Sequence, residues 1–298
     1  SPRQLSLMSK VLSRILVTVY LSLLCQACIT EVDVGACNNT VIRFEYLADG
    51  DEDVFPEYIT SVTYCIYDSE GEIVTQATLD QNRLDEFQGV KLRLPSAGTY
   101  SLTAWGNLGG DCVLESQETL SGGRVVLPGE NPKTFNKLYL GKLDFDLESV
   151  DGRHEWTAPM HSVHVTLNAY IQSTSDEFSA SDFMLKVGEF ATGVSNSGEI
   201  LGPQRIYTLG FSEGENAMLE ASAWLPRFNE HTSATLEVCS AATGNRITSV
   251  DLAGYISANN IRLTGVEEAV VDILISVSGT NISIRFPGWK PKPIYPSI

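Results

Sequence analysis

Three stretches of this 298-residue chain bring together residue types that could do chemistry. His161 and His164 suggest half of a metal site, but three residues apart on a strand they point to opposite faces, whereas two ligands must share one. Asp49-Gly50-Asp51-Glu52-Asp53 has the acids of a calcium loop. The position that would supply the closing Glu of an EF-hand is nevertheless Thr60, and the glycine is misplaced, so a solvated hairpin tip is the reading. Gly106-Asn107-Leu108-Gly109-Gly110 is rich in glycine yet lacks the Lys-Ser/Thr and the helix that a phosphate loop needs. No serine stands in Gly-x-Ser-x-Gly, and no Ser, His and Asp group together convincingly. Catalytic, metal and cofactor-binding residues are therefore not expected, and neither is an enzyme.

The chemistry the chain does invite is on a thiol. Lys10 and Arg14 precede the run Ile15-Leu16-Val17-Thr18-Val19-Tyr20-Leu21-Ser22-Leu23-Leu24, and Cys25-Gln26-Ala27-Cys28 follows. A basic head and about ten apolar residues are too short for a permanent span and make an export signal, with Met8 the expected start. A cysteine directly after Ala27 has the position of the residue that a bacterial lipobox acylates with diacylglycerol, although Cys25 and Gln26 stand where Leu and a small residue are usual. Cleavage before Cys28 and its lipidation are the expectation, so the chain should leave the cytoplasm and end up tethered by lipid.

Composition narrows the partners. Residues 1–27 hold Arg3, Lys10 and Arg14 and no acid, leaving 17 basic against 37 acidic residues, a net −20. Nucleic acid is excluded as a natural partner, because binding it requires Lys and Arg to neutralise phosphates. Roughly 270 residues after the signal exceed one typical domain and suggest two. Cys37, Cys65, Cys112 and Cys239 are widely spaced, without the paired spacing of a zinc or redox site. Cys65 and Cys239 read as small core residues, while Cys37 and Cys112 lie near expected loops and could pair in an oxidising compartment.

Period-two alternation sets the elements. Val62, Tyr64 and Ile66 share a face; Val90, Leu92 and Leu94 alternate with Lys91 and Arg93; Tyr139, Gly141, Leu143, Phe145 and Leu147 alternate with Lys142, Asp144 and Asp146. Val163, Val165 and Leu167 repeat the pattern, as do Ile282, Ile284 and Phe286. Turn chemistry separates the runs, at Asp49-Gly50, Glu70-Gly71, Gly109-Gly110 and Gly244-Asn245 among others. No stretch has helical periodicity. The expected fold is all-β: two tandem antiparallel β-sandwiches after the signal peptide 1–27, the first over 28–158 and the second over 159–286. Polar Asp151–Glu155 and Pro159 suggest the boundary, and the proline-rich 287–298 suggests an extended, exposed tail.

Several phrases resemble the FimB-type and Mfa-type fimbrial anchor lipoproteins of Bacteroidales surface pili. Leu94-Pro95-Ser96-Ala97-Gly98-Thr99-Tyr100 matches that family's turn, and Ala104-Trp105-Gly106-Asn107 matches its most specific motif. Leu138-Tyr139-Leu140-Gly141 and Val163-His164-Val165-Thr166-Leu167 match later strands, so the likeness covers roughly 40 to 290. Gly98, Tyr100, Trp105, Gly106 and Asn107 are the family-motif residues. Physically they are core and turn: Gly98 turns the chain, Tyr100, Leu102 and Ala104 alternate inward, Trp105 caps the strand end, and Gly106-Asn107 is a turn dipeptide with access to positive φ.

The resemblance implies transthyretin-like sandwiches and a subunit held by lipid in the outer membrane that meets a fimbrial shaft subunit, a fimbrillin. Shaft subunits of such pili lose their first strand by cleavage after an Arg, opening a groove that a neighbour's C-terminal strand fills. Here no Lys or Arg lies between Cys28 and Arg43, and Arg43 falls within an expected strand. The first strand should stay, which implies an anchor that ends a fibre, with Val270–Ile298 as its available contribution to the shaft. The alternative is a lipoprotein or fimbrial tip adhesin that binds glycans or host ligands through Trp156, Trp224 or Trp289.

Overall fold

A computed structural model describes residues 38–173, 178–215, 218–278 and 281–285. The expected signal peptide, Cys28, Cys37, Trp289 and the tail at 287–298 lie outside the described residues.

The first half runs β1 (Thr40–Glu45), α1 (Phe55–Tyr58), β2 (Val62–Tyr67), β3 (Ile73–Leu79), α2 (Gln81–Glu86), β4 (Gly89–Leu92), β5 (Gly98–Gly106), β6 (Val113–Glu115), β7 (Arg124–Val126), β8 (Tyr139–Leu147) and β9 (His154–Ser162). The second runs β10 (His164–Ser173), β11 (Phe183–Phe190), β12 (Gly193–Ser195), β13 (Ile200–Leu201), β14 (Arg205–Gly210), β15 (Ser212–Glu213), β16 (Met218–Pro226), β17 (Thr235–Ser240), β18 (Arg246–Asp251), α3 (Leu252–Ala258), β19 (Val270–Ser278) and β20 (Asn281–Arg285). The helices are too short for a periodic signature. Two of them start at caps that local chemistry explains: the Asp80 carboxylate accepts from Arg83 N and that of Asp251 from Gly254 N, both at 3.0 Å. Among the described residues no helix is long and apolar enough to cross a membrane.

The halves share one plan. In the first, β3-β2-β5-β8 form one layer and β4-β1-β9 the other. In the second, β14-β11-β17-β18 answer the first layer and β16-β10-β19 the other. The expected antiparallel sandwiches are present, with one exception in each: β1 runs parallel to β9, and β10 parallel to β19. First and last strands of each sandwich are thus neighbours, a pairing that a long crossover permits and alternation cannot reveal.

Strand β9 serves two partners. Its residues 154–159 face β1, and Met160, His161 and Ser162 face Gly141, Leu140 and Tyr139 of β8. Pro159 stands at the handover, where a missing N–H interrupts the middle of neither ladder. The boundary expected between 158 and 159 therefore falls inside this strand, and the chain turns from one sandwich to the other at Val163.

The halves are also joined away from that pivot. β7 pairs with β12, so β6 and β7, inserted between β5 and β8, form a small sheet with β12 and β13 of the second half. Trp105, Val125, Phe135, Leu138 and Leu140 pack into one continuous core with the second sandwich, while Ile42, Phe44, Tyr100, Leu102, Ala104 and Phe145 build the core of the first.

Candidate functional site

Strand β1 is held in place by side chains and backbone alike. Ile42 and Phe44 are almost wholly buried in the first core. The backbone is matched on both sides: Thr40–Arg43 face Leu92–Gly89 of β4, and Thr40–Glu45 face His154–Pro159 of β9. Asn39 clamps the start of the strand, its Nδ2 donating to Leu94 O and its Oδ1 accepting from Leu94 N, each at 2.9 Å. Arg43 puts its guanidinium 4.7 Å from the centre of the Phe87 ring, in solvent, while its backbone lies mid-sheet. A protease that reads Arg in an extended substrate cannot reach a strand with both edges taken.

The family-motif residues are structural. Gly98 opens β5 at a φ of +153° that L-residues rarely adopt. The Tyr100 hydroxyl donates back to Ser96 O at 2.8 Å, fixing the corner, as its ring joins Leu102 and Ala104 in the first core. Trp105 points the other way. It does more than cap the strand: it is fully buried in the core of the second half, and its indole N–H donates to Asn196 Oδ1 at 3.2 Å. Asn196 Nδ2 donates onward to the Tyr67 hydroxyl and to Leu120 O, both 3.2 Å. A Cβ on Gly106 would press on Ile59 and Tyr139 at 3.1 Å. Asn107, at φ +58°, accepts from Thr60 N at 2.9 Å and donates to Tyr58 O at 2.7 Å.

At the pivot a polar seam locks the halves. Glu268 accepts from the hydroxyls of Tyr46 (2.5 Å) and Tyr139 (2.8 Å) and lies 3.5 Å from Lys137 Nζ. Burial first, and then this carboxylate, push both phenols far above their ordinary range. The Arg227 guanidinium donates to Ser162 O, His164 O, Glu267 O and Leu263 O at 3.0 to 3.4 Å. Asp49 is exposed, as expected of a solvated tip, and also accepts from Glu267 N (2.8 Å) and Glu268 N (3.2 Å). Asp53 from the same run accepts from Tyr46 N and Phe55 N.

His161 and His164 diverge. His161 Nδ1 lies 2.8 Å from Glu267 in solvent, and that bond raises its pKa. His164 is buried against Leu138 O, and burial pulls its pKa down to about 4. Among the described residues no three His, Cys, Asp or Glu side chains cluster as metal ligands. Cys65, Cys112 and Cys239 are free, buried thiols, and burial pushes Cys112 up to about 12. Trp224 is buried and Trp156 half-buried, its ring 4.6 Å from that of Phe145, so neither presents a flat face for a sugar. An open cleft of about 960 Å³ between the halves is lined by polar groups, Asp68, Ser101, Lys142 and Ser197 among them. Sequence spacing carried no signal for Asn196, Arg227, Glu267 or Glu268, whose partners lie up to 222 residues away.

Two sandwiches of seven-strand plan, a first strand locked in place and a seam of structural bonds define a tandem transthyretin-like β-sandwich protein. The chain belongs to the family of fimbrillin-A associated anchor proteins Mfa1 and Mfa2, whose profile matches residues 34–294. Among solved structures it is similar to the fimbrial anchor protein Mfa2 from Porphyromonas gingivalis, at 15% identity and TM-score 0.61, covering 84% of this chain and 97% of that one. It is also similar to an adhesin candidate from Bacteroides ovatus, at 17% identity and TM-score 0.67, covering 87% and 96%. A candidate polysaccharide-binding protein from Bacteroides thetaiotaomicron is similar at 15% identity and TM-score 0.66, covering 83% and 95%. At these identities the likeness is one of fold. No curated protein sequence matches.

Proposed function

We propose that this protein is the lipid-tethered anchor and assembly-terminating subunit of a surface fimbria, held in the outer membrane through an acylated Cys28 and joined to a fimbrillin shaft subunit through its second half. The observation that carries the reading is the double pairing of β1 between β4 and β9, with Ile42 and Phe44 sealed in the core. A subunit that keeps its first strand has no groove for a neighbour's strand, so growth stops at it. Its own offer lies at the far end, where β20 pairs with β19 on one side only among the described strands.

The tether is short. Nine residues separate Cys28 from Asn38, so the sandwich starts within about 35 Å of the acylated cysteine. One acyl chain would hold only marginally, which makes the two or three chains of a mature bacterial lipoprotein matter. The deciding experiment replaces Cys28 by Ala: fimbriae are expected in the medium and longer than normal. Cell-bound fibres of ordinary length in that strain would overturn the reading.

A further inference from the structure

The two parallel pairs of the fold, β1 with β9 and β10 with β19, are also the strands by which the chain enters and leaves each half. A pull on the chain reaches the first sandwich at Thr40 and leaves it at Ser162. It reaches the second at His164 and leaves β19 at Ser278. Register gives the direction of that pull. Thr40 stands opposite His154, so Ser162, eight residues beyond, lies about 26 Å along the strands and only about 4.8 Å across them. Thr166 stands opposite Val270, and Ser278 is again eight residues on. Each half is thus stretched along its own strands.

Were these pairs antiparallel, the two loaded ends would sit side by side and the ladder would open one bond after another. In the parallel pairs every bond between the strands must slide at once. Side chains oppose the slide. β4 grips the other edge of β1, and Asn39 adds its two side-chain bonds to Leu94 at the loaded end. A shift of β1 by one residue would turn the exposed Arg43 into the core and Ile42 and Phe44 out of it. The same shift of β19 would set Asp272 in place of Val271 or Ile273, both fully buried.

We propose that the β1-β9 and β10-β19 pairs form a tandem mechanical clamp, two shear-loaded ladders in series through which the folded chain transmits tension from one end to the other. β20 lies outside the clamp. It is antiparallel to β19 and ends at Arg285 opposite Leu274, part of the way back along that strand, so a pull on Arg285 peels it bond by bond and leaves β19 in place. The clamp stands on strand register alone. That the tension is a fibre pulling on a lipid tether rests on the fimbrial reading above. Fibre release from the Cys28→Ala strain tests that reading, whereas the strength of the isolated chain tests the clamp.

Optical tweezers at constant force test it on the full chain, with azide-bearing residues as handles. Handles at Asn38 and His161 load β1 and β9 in shear, and handles at Asn38 and Arg153 open the same two strands from one end. In the second half His161 with Val277 gives shear, and His161 with Val270 gives opening from one end. Forced rupture follows the unfolding rate, so each shear pair should survive at least about tenfold longer than its one-end pair at the same force. Equal lifetimes in either half, or a longer life for a one-end pair, overturn the clamp. Urea midpoints equal to the parent's qualify each handled chain. Where a handle lowers the midpoint, the unsubstituted chain pulled by its termini decides: a short low-force extension from β20 must be followed by long, all-or-none rupture. Gradual lengthening, or rupture without the short step, overturns the proposal.

Discussion

The two sandwiches follow the same strand plan and finish differently. In the first, β9 closes the structure by pairing with β1 along one stretch and with β8 along another, and the outer sheet face is charged and wet. In the second, β19 hands its free edge to the hairpin strand β20, and the corresponding face, polar and apolar mixed, is largely buried at its centre. One topology therefore serves two purposes. First and last strands are joined in both halves, and among the described strands the second half alone adds one beyond them, β20.

Breaking the junction should have the largest effect. Trp105→Ala leaves a cavity in the shared core and strips Asn196 of a donor, a loss of about 4 kcal/mol. Calorimetry should then show the second half unfolding before the first, where the parent unfolds as one unit.

Acid should act next, through His164. Its unfolded value near 6.5 falls to about 4 in the buried site, so the unfolded chain binds more protons between those values. Stability from this group is complete above pH 6.5 and is lost as pH falls toward 4, by about 3 kcal/mol. Urea midpoints across that window should fall, and His164→Gln should flatten the fall. His161 works in reverse: its raised pKa gives a contribution present below 6.5 and lost as pH climbs through the folded value, and its exposure keeps that contribution small.

Tyr139→Phe removes one of two phenol donors to Glu268 and should cost about 1 to 2 kcal/mol by urea unfolding, since Tyr46 and Lys137 still hold the carboxylate. Smallest of all, Arg246→Ala breaks an exposed ion pair with Glu237 on the second sandwich, and its urea midpoint should move by less than about 0.5 kcal/mol equivalent.

Much of the fold was legible because a half-buried strand writes its burial into every second residue. Tyr139–Leu147 and Val62–Tyr67 have the bounds that alternation predicts. Pro159 reads as a break in the sequence, yet it lies inside β9, where the exchange of partners makes room for it. Asp49 is exposed as read, but the bonds it accepts from Glu267 N and Glu268 N were invisible because those donors are more than two hundred residues on.

The amino-acid order by itself determined the strand content, the turns, the acidic surface and the inward faces of each sheet, since those follow from local alternation and from residue chemistry within a few positions. Tertiary structure alone decided that first and last strands run side by side, that Trp105 serves the neighbouring core, and that one outer face is largely buried at its centre. Each of these depends on which distant strand arrives alongside, and no local period encodes that.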